Sequence, residues 1–322
     1  MRAIRIHEHG GPEVLTVDDV DDPTPGPGEL LVEVAAAGVN YIDTYHREGL
    51  YPQTLPMVPG LEGAGTVRSV GEGVDTVQVG DRVAWADVAG SYAELAAVSA
   101  DRTVVVPPDV DAETAAALLL QGMTAHYLSS STYKLGSDDV ALVYAAAGGV
   151  GRLLVQLAKR RDARVLACTS TPAKADQVRE LGADEVILYR DVDLPEVVAD
   201  LTDGEGVDVV YDSVGADTFE TSLDCLKPRG LMVLYGQSSG PVPPVDLQIL
   251  ARKGSLYVTR PTLFSYVPTH DELEWRAGSL FELVRSGQLD VLVHDRYPLD
   301  EAPRAHTDLQ SGATAGKLLL IP

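Results

Sequence analysis

Residues 146–151 have the sequence Ala-Ala-Gly-Gly-Val-Gly, in which small side chains recur at a spacing that suits a bound dinucleotide. The segment matches the dinucleotide-binding fingerprint with its first glycine replaced by alanine. In that pattern Gly148 lets the backbone approach a pyrophosphate, and Gly151 lets a helix pack closely on the preceding strand. The amides at the N-terminus of that helix would then face the phosphates, so the segment predicts a dinucleotide site.

The elements that such a turn needs lie on both sides of it. Val140–Ala145 is a short apolar run typical of a strand buried on both faces, and Val150–Lys159 has the periodicity of an amphipathic helix. This context matters because isolated glycine patterns also occur in ordinary turns. The strand, turn and helix together predict a crossover unit of a parallel sheet.

The residues after the next strand indicate which dinucleotide is bound. An acidic side chain there would accept hydrogen bonds from the adenosine ribose, whereas residues 168–171 are Cys-Thr-Ser-Thr and Lys174 follows. Neutral hydroxyls and an ammonium group favour a 2′-phosphate, so we expect NADP(H) rather than NAD(H). The alternative is that Ser170 or Thr171 only caps a helix that begins at Pro172. The two interpretations are compatible, because a capped N-terminus also binds anions.

The charge balance argues against two classes of partner. The 322 residues carry a formal net charge of −23, with 30 Asp, 18 Glu, 19 Arg and 6 Lys. Most of such a surface would repel nucleic acid or an anionic membrane. An excess of aspartate with few lysines is also typical of proteins from cells with high internal salt, where screening reduces self-repulsion. This gives a hypothesis about habitat.

Hydropathy and cysteine content favour a soluble cytoplasmic protein. No stretch of 18 apolar residues occurs, and the N-terminal MRAIRIHEHGG lacks the apolar core of a signal peptide. The two cysteines, Cys168 and Cys225, fall in predicted elements of the nucleotide-binding half. We expect both to be buried reduced thiols, which fits a cytosolic setting.

The remaining patterns divide the chain into a β-rich first part and an alternating second part. From Met1 to about Ser99, short apolar or alternating runs are separated by glycine and proline, and the clearest strands are 29–39, 63–71 and 80–86. A helix over 111–128 follows. Alternation of strands and helices up to about Val258 predicts a parallel sheet with helices on both faces, with strands at 140–145, 164–167, 185–188, 207–211 and 231–235. Further helices are predicted at 172–181, 194–201, 217–226, 247–252 and 272–285, and a last strand at 317–321.

Seven segments spread over the chain resemble one known family, the zeta-crystallin-like NADPH:quinone oxidoreductases. These are zinc-independent members of the medium-chain dehydrogenase/reductase superfamily. The resemblance implies an α/β fold with a β-rich GroES-like N-terminal domain (1–122), a NADP-binding Rossmann doubly wound parallel sheet domain (123–262) and a C-terminal segment (263–322) that returns to the first domain. It also implies a homodimer. The segments are HEHGGPEVL (7–15), GVNYIDTYHREGLYP (38–52), GDRVAW (80–85), AAAGGVG (145–151), VYDSVG (210–215), LDCLKPRGLMVLYGQSSG (223–240) and KGSLYVTRPTL (253–263).

The resemblance implies a group of residues beside the nicotinamide and the substrate. Of these we take Asn40, Tyr45, Tyr51 and Arg260 as candidate catalytic residues, since tyrosines offer flat walls and Arg260 could face a developing negative charge. Two alternatives stay open: Tyr41 and Tyr45 form one packed face of a helical turn, and Arg260 forms a structural ion pair. The whole group comprises Asn40, Tyr41, Ile42, Asp43, Thr44, Tyr45, Tyr51 and Arg260.

The cofactor contacts implied by the resemblance follow the ends of the predicted parallel strands, where ligands gather in such sheets. A C-terminal contact is implied near 312–317, where Gly312 replaces a charged residue of many relatives. The implied cofactor-binding residues beyond the first group are Tyr127, Gly148, Gly149, Val150, Gly151, Ser170, Lys174, Tyr189, Ser213, Val214, Tyr235, Gly236, Gln237, Ser238, Gly316 and Lys317.

Zinc-dependent alcohol dehydrogenases share this architecture, so the metal positions need comparison. Where they have a ligating cysteine, this chain has Asn40, and where they have Gly-His-Glu it has Gly60-Leu61-Glu62. Four closely spaced cysteines for a structural zinc are also missing, and the seven histidines form no ligand pattern. We expect no metal, with the histidines on the surface or in a polar core.

The leading hypothesis is therefore a metal-free reductase that passes a hydride from NADPH to a quinone. A close alternative has the same cofactor and an activated alkene or enone as acceptor. An alternative of another class is a non-catalytic nucleotide-binding structural protein. Activity with a quinone against an alkenal separates the first two, and tight NADPH binding without oxidation would favour the third.

Overall fold

Strands and helices cover most of the chain in this computed structural model, which describes residues 1–322. The strands are β1 (Arg2–Ile6), β2 (Leu15–Asp19), β3 (Glu29–Val39), β4 (Glu62–Val70), β5 (Arg82–Trp85), β6 (Leu95–Ser99), β7 (Thr103–Val105), β8 (Val140–Val143), β9 (Arg164–Thr169), β10 (Glu185–Leu188), β11 (Val207–Asp212), β12 (Leu226–Leu234), β13 (Tyr257–Thr259), β14 (Val293–Pro298) and β15 (Lys317–Ile321). The helices are α1 (Tyr41–Arg47), α2 (Ala112–Tyr127), α3 (Gly149–Lys159), α4 (Pro172–Glu180), α5 (Leu194–Leu201), α6 (Phe219–Asp224), α7 (Gln248–Arg252), α8 (His270–Arg285) and α9 (Ala302–Ser311).

The chain forms two compact units. The first comprises Met1–Met123 and Val267–Pro322, and the second comprises Thr124–Tyr266. Neither contains a helix that is both long and apolar enough to cross a membrane.

The second unit is built on six parallel strands in the order β10-β9-β8-β11-β12-β13. Its first strand, β8, lies in the middle, and the chain winds outward from it to one edge and then to the other. Apolar side chains such as Leu142, Leu166 and Val210 are fully buried in it, as expected for strands covered on both faces. This confirms the predicted doubly wound sheet. Its winding reverses between β8 and β11, the place where such sheets bind ligands.

The first unit is built on a mainly antiparallel sheet of seven strands, and β1 and β2 form a separate antiparallel pair. The long strand β3 is central, because it pairs with β4, β6 and β15. Alternate residues Leu30, Val32 and Val34 of β3 are buried in the core around Trp85. The alternation in the sequence predicted this strand with the observed bounds, and the predicted β-rich unit is confirmed.

The C-terminal residues contribute β15 to the same sheet. Leu318 is opposite Val39 in antiparallel register, so the start of β15 lies beside the end of β3. Two elements of this segment, β14 and α9, were not predicted from the sequence. β14 is mostly exposed and ends in proline, and α9 buries only two alanines and His306, so neither has a run of large apolar residues that would have indicated it.

Candidate functional site

The residues predicted to hold a dinucleotide in the second unit follow the carboxyl ends of its parallel strands. The glycine turn follows β8, Ser170 follows β9, and Tyr189 follows β10. Ser213 and Val214 follow β11, residues 235–238 follow β12, and Arg260 follows β13. Because the strands are parallel, the structure brings these residues to one edge of the sheet, where ligands bind in folds of this kind.

The glycine turn is tightly packed against the end of β8. The amide of Gly148 donates a hydrogen bond to the carbonyl oxygen of Ala145 at 2.8 Å. A Cβ on Gly151 would lie 2.8 Å from Cα of Ala146, so only glycine lets α3 start this close to the strand. Ala145 has a φ of +48° in the left-handed region, which costs free energy for a residue other than glycine. The turn thus shows the close packing of the helix on the preceding strand that the sequence predicted at Gly151.

The end of β9 has hydroxyl and basic side chains and no carboxylate before Asp176. Thr171 caps α4, since its Oγ1 accepts a hydrogen bond from the amide of Lys174 at 3.4 Å, and the helix begins at Pro172 as predicted. Burial and the nearby guanidinium of Arg190 lower the pKa of Lys174. Two positive charges therefore lie near the capped N-terminus of α4, an arrangement that suits a phosphate.

Arg190 is a residue that the sequence reasoning missed. It directly follows Tyr189, and its Nε donates to the Tyr189 hydroxyl at 3.4 Å. The ring of Tyr189 in turn packs edge-on against the buried Tyr144, with the ring centroids 5.4 Å apart. The available signal was a basic residue two positions after β10, because Lys174, which follows β9, already lies at the same edge of the sheet.

The loop that follows β11 is fixed by the side chain of Asp212, a residue that sequence reasoning also missed. Its Oδ1 accepts from the amides of Val214 at 2.7 Å and Gly215 at 3.1 Å. Its Oδ2 accepts from the hydroxyls of Thr218 at 2.7 Å and Ser222 at 2.8 Å. Despite these four bonds, desolvation by burial raises the pKa of Asp212. Asp212 therefore fixes the loop that carries the predicted contacts Ser213 and Val214.

Two other predicted residues of the second unit have structural partners. Tyr127, at the end of α2, stacks on Tyr266 with ring planes 7° apart and centroids 4.2 Å apart. Arg260 lies after β13, where its Nη1 donates to the carbonyl of Pro261 at 3.3 Å.

In the first unit, Asn40 and Asp43 form the N-terminus of α1. The amide of Asn40 donates to Oδ2 of Asp43 at 2.8 Å, so the third helical residue caps the helix through its side chain. Thr44 is buried, and its hydroxyl donates to the carbonyl of Tyr41 at 2.7 Å. Ile42 is half-buried. This cap fixes the direction of the helix that carries the predicted tyrosines.

The predicted tyrosines form an aromatic cluster on one side of α1. The ring of Tyr45 lies 6.3 Å from that of Tyr41 and 5.4 Å, edge-on, from that of Tyr51. The hydroxyl of Tyr41 donates to the carbonyl of Leu309 at 3.2 Å. The packed helical face proposed as an alternative is therefore present, and it brings all three tyrosines together.

A buried polar cluster, Asn40, Glu62 and Lys317 with Gln121, joins β3, β4, α2 and β15. The Lys317 ammonium forms an ion pair with Oε2 of Glu62 and donates to Oδ1 of Asn40 at 2.7 Å. Nδ2 of Asn40 donates to Oε2 of Glu62 at 2.9 Å, and Nε2 of Gln121 donates to Oδ1 of Asn40 at 3.3 Å. Burial lowers the pKa of Lys317, and the neighbouring Glu62 opposes this. The carboxamide of Asn40 is thus fully engaged inside the first unit.

A second buried chain leads from Asp43 to Arg47. The hydroxyl of Tyr92 lies 3.0 Å from Oδ2 of Asp43 and 3.1 Å from Nε2 of His306. Nη1 of Arg47 lies 3.1 Å from Nδ1 of His306. All four side chains are buried, yet Oδ1 of Asp43 has no hydrogen-bond partner. Only Asp43 of this chain was expected at the site from the sequence.

The residues at the position of a catalytic zinc do not fit a metal. Glu62 has both oxygens engaged, Oε1 by the amide of Leu120 at 2.7 Å and Oε2 by Lys317 and Asn40. A buried ammonium group in the cluster would repel a second cation. No group of three or more His, Cys, Asp or Glu residues in the chain has the arrangement of a metal site. Both cysteines, Cys168 and Cys225, are free and buried, as predicted.

Comparison with known proteins places the chain in a family. The alcohol dehydrogenase GroES-like domain family matches residues 26–108, and the zinc-binding dehydrogenase family matches 149–271. Quinone oxidoreductase 1 of Escherichia coli is 47% identical, and the alignment covers 99% of each chain. The 2-haloacrylate reductase of a Burkholderia species is 40% identical, with 98% of each chain covered. A mycobacterial protein solved in complex with NADPH superposes with a TM-score of 0.98 at 48% identity over 100% of both chains.

The alignments with these relatives extend over nearly the whole chain. The glycine turn, the basic end of β9 and the tyrosine-bearing α1 are also present in the structure. The chain belongs to the quinone oxidoreductase family of the medium-chain dehydrogenase/reductase superfamily.

Proposed function

We propose that the protein is an NADPH-dependent quinone oxidoreductase. The observation that supports it most directly is the end of β9, where Thr171 caps α4 and Lys174 lies near Arg190, with no carboxylate to bind a ribose hydroxyl. We infer the reaction from full-length relatives that are named quinone oxidoreductases. The mycobacterial relative was solved in complex with NADPH.

The residues of the second unit fit this cofactor. The amides of Gly149 and Val150, at the start of α3, would hold the pyrophosphate, and Lys174 with Ser170 would hold the 2′-phosphate. Tyr189 would flank the same phosphate, and the loops fixed by Asp212 would flank the nicotinamide half. When bound, the cofactor supplies a hydride with both electrons.

The first unit would supply the walls of the acceptor site. Tyr41, Tyr45 and Tyr51 offer flat apolar faces with hydroxyl groups at their tips, which suits a planar ring. The predicted role of Asn40 is best understood as holding the start of α1, because its carboxamide is engaged by Lys317 and Glu62. We keep Arg260 as a candidate contact to the developing negative charge of the acceptor.

Reduction of an activated alkene is the second candidate function. The 2-haloacrylate reductase that is 40% identical over nearly the full length reduces, by its name, a conjugated alkene. A conjugated acceptor accepts hydride in a chemically similar way, so the same cofactor and walls would serve. The sequence and the fold are compatible with both acceptors.

Steady-state kinetics tests both candidates. NADPH oxidation is measured with a small benzoquinone, a naphthoquinone, 2-chloroacrylate and an alkenal. Each measurement is repeated with NADH as the hydride donor. Faster turnover of the quinones with NADPH supports the proposal, and faster turnover of the alkenes favours the second candidate. Tight NADPH binding without oxidation by any acceptor would favour a non-catalytic nucleotide-binding role.

We also propose that the protein forms a homodimer in the cytoplasm. β13 is an edge strand of the second unit, and it exposes Tyr257 and Val258. Val245 and Leu247, which precede α7, are also exposed, Leu247 by 72%. Unpaired edge strands with apolar side chains are suited to pairing with a second copy. Light scattering of the wild type and of Tyr257→Lys tests this: a dimer that the substitution converts to a monomer supports it, and a wild-type monomer contradicts it.

The acidic composition supports the proposal of adaptation to high salt. A net charge of −23 destabilises a compact chain by self-repulsion unless ions screen it. Thermal unfolding in increasing potassium chloride should therefore show a rising midpoint up to molar salt. Greatest stability at low salt would contradict the hypothesis.

A further inference from the structure

The loops after β11 and β12 are joined to each other through their main chains. We call residues 213–218 the β11 loop and residues 235–240 the β12 loop. Three consecutive carbonyls, beginning with the last residue of β11, accept hydrogen bonds from amides that follow β12. The bonds run from Tyr235 to Asp212 at 2.8 Å, from Ser238 to Ser213 at 3.1 Å and from Ser239 to Val214 at 2.8 Å. The parallel pairing of the two strands thus continues into the loops.

The two loops approach each other closely at Gly236. A Cβ at this position would lie 2.6 Å from the carbonyl oxygen of Ser213 and 2.8 Å from its Cα. Because backbone atoms cannot move aside as a flexible side chain can, any larger residue would push the loops apart. The β12 loop therefore fits on the β11 loop only with glycine at position 236.

The hydroxyl group of Ser239 makes a further connection between the loops. Its Oγ donates to the carbonyl of Val214 at 2.8 Å and accepts from the amide of Asp217 at 3.1 Å. The amide of Ser239 donates to the same carbonyl, so both lone pairs of the Val214 oxygen are engaged. The amide of Ala216 donates to the carbonyl of Gly240 at 3.2 Å. Ser239, which was not predicted from the sequence, thus ties the two loops together.

Every amide from residue 214 to residue 218 of the β11 loop is engaged inside the protein. The acceptors are Oδ1 of Asp212 for Val214 and Gly215, the carbonyl of Gly240 for Ala216, Oγ of Ser239 for Asp217 and the carbonyl of Gly215 for Thr218. The loop therefore has its hydrogen bonds without a ligand. The predicted cofactor contact of Val214 is left to its side chain, because its amide and carbonyl are both engaged.

The side chains predicted to contact the cofactor from these loops are accessible. Ser213, Tyr235 and Gln237 are half-buried, and Ser238 is exposed. They lie at the edge of the sheet where ligands bind in folds of this kind. The backbone of the β11 loop thus serves the protein's own structure, and side chains of both loops remain accessible to a ligand.

We propose that the two loops form one platform for the nicotinamide half of NADPH, that it is folded before the cofactor binds, and that Asp212 and Ser239 are the positioning residues that hold it. This inference rests on the proposed function, because NADPH is the ligand. A platform that is already folded lets the cofactor bind without first ordering the loops. If only about one molecule in ten had the platform folded, the apparent Kd would be about tenfold higher.

Calorimetric titration with two probes tests the role of Asp212. The probes are NADPH and adenosine 2′,5′-bisphosphate, which has the 2′-phosphate but no nicotinamide. Asp212→Ala removes the acceptor of the Val214 and Gly215 amides, so its Kd for NADPH should rise by about tenfold or more. Its Kd for the bisphosphate should stay within about twofold, because the basic end of β9 is unchanged. Equal rises for both probes would overturn the proposal.

Asp212→Asn is the conservative variant. Its Oδ1 is able to accept from the same two amides, and its Nδ2 is able to donate to the hydroxyl oxygens of Thr218 and Ser222, which contact Oδ2 in the wild type. We therefore expect its Kd for NADPH to lie within about threefold of the wild-type value. A loss of affinity as large as that of Asp212→Ala would contradict a role of these bonds and overturn the proposal.

Ser239→Ala and Thr202→Val form a matched pair of variants. Thr202 precedes β11, and its Oγ1 donates to the carbonyl of Val198 at 2.7 Å and accepts from the amide of Gly206 at 2.9 Å. Each substitution therefore removes a hydroxyl with one carbonyl and one amide partner. Ser239→Ala should raise the Kd for NADPH by about fivefold, and Thr202→Val should leave it unchanged. Equal Kd values would overturn the proposal, and this pair decides if Asp212→Ala fails to fold.

Hydrogen exchange followed by mass spectrometry tests the platform without a ligand. In the free wild type, residues 214–218 and 235–240 should exchange slowly, and in Ser239→Ala both segments should exchange faster. Fast exchange in the free protein with protection only by NADPH would overturn the proposal. A wild type that binds neither probe would contradict the proposed function itself, and the exchange rates would then still decide whether the loops are folded in the free protein.

Discussion

The ammonium nitrogen of Lys317 lies 2.7 Å from Oδ1 of Asn40 and also pairs with Glu62, with all three side chains buried. The antiparallel pairing of β15 with β3 brings the two residues together, because Leu318 is opposite Val39. The last strand of the chain thereby holds the start of α1, the helix with the predicted tyrosines. The carboxamide of Asn40, at the position where the sequence comparison expects a ligating cysteine in zinc-dependent dehydrogenases, is thus engaged by a positive charge.

Removal of the Lys317 charge should destabilise the protein severely. Lys317→Met leaves the carboxylate of Glu62 buried without its cation, and loss of one partner of a buried pair costs about 3–5 kcal/mol. The double variant Lys317→Met/Glu62→Gln removes both charges and should recover most of that loss. Urea unfolding of the two variants measures the difference. Equal stability of the single and double variants would show that the pair carries no such coupling.

The fold was largely predictable from local patterns. The alternation of 29–39 and the apolar runs at 185–188 and 317–321 gave strands with the observed bounds, and 194–201 gave the observed helix. These elements follow from hydrophobic periods that a single sequence displays. The glycine turn was predictable for a different reason, because close packing of α3 on β8 excludes any side chain at Gly151.

The polar clusters of the first unit could not be predicted in this way. Lys317 and Asn40 are separated by 277 positions, and His306 and Arg47 by 259. A local hydrophobic pattern cannot indicate contacts between residues so far apart in the chain. The sequence showed His306 only as one of seven histidines that form no ligand pattern. The family resemblance pointed to Asn40, Asp43 and Lys317 singly, and the structure supplied the bonds that join them.

Loss of the Lys174 charge should weaken NADPH selectively. A charge-assisted bond to a phosphate contributes about 1.5–3 kcal/mol, so Lys174→Ala should raise the KM for NADPH by about 10- to 100-fold and leave the KM for NADH within about twofold. Arg190→Ala should have a smaller effect with the same selectivity. Lys134→Ala, an exposed lysine of the same unit, is the control for general charge effects. Equal changes in both KM values would refute the phosphate assignment.

Truncation of Tyr45 should affect turnover more than dinucleotide affinity. Its ring forms the middle of the cluster with Tyr41 and Tyr51, so Tyr45→Ala removes a wall of the proposed acceptor site. We expect kcat to fall by about tenfold or more, since poor orientation of the acceptor raises the barrier, while the Kd for NADPH changes little. Single-turnover rates and fluorescence titration give the two quantities. An unchanged kcat would assign Tyr45 to packing alone.

Burial raises the pKa of Asp43 to about 7, which affects stability. In the unfolded chain an aspartate titrates near pH 4, so between about pH 4 and pH 7 the folded protein binds more protons than the unfolded protein. The stabilisation due to Asp43 is therefore complete below about pH 4 and is lost as the pH rises to about 7. Relative to Asp43→Asn, the free energy of unfolding of the wild type should fall across this interval. A constant difference between the two would mean that Asp43 is not protonated in the folded state.

The central claim is that a metal-free site holds a phosphorylated dinucleotide and passes its hydride to a planar acceptor. It is tested most directly by the ratio of kcat/KM for NADPH to kcat/KM for NADH in quinone reduction by the wild-type protein, measured before and after treatment with a strong chelator. The account predicts quinone turnover with a ratio of about 10 or more that the chelator leaves unchanged. A ratio near one, or activity that the chelator removes and zinc restores, would contradict it.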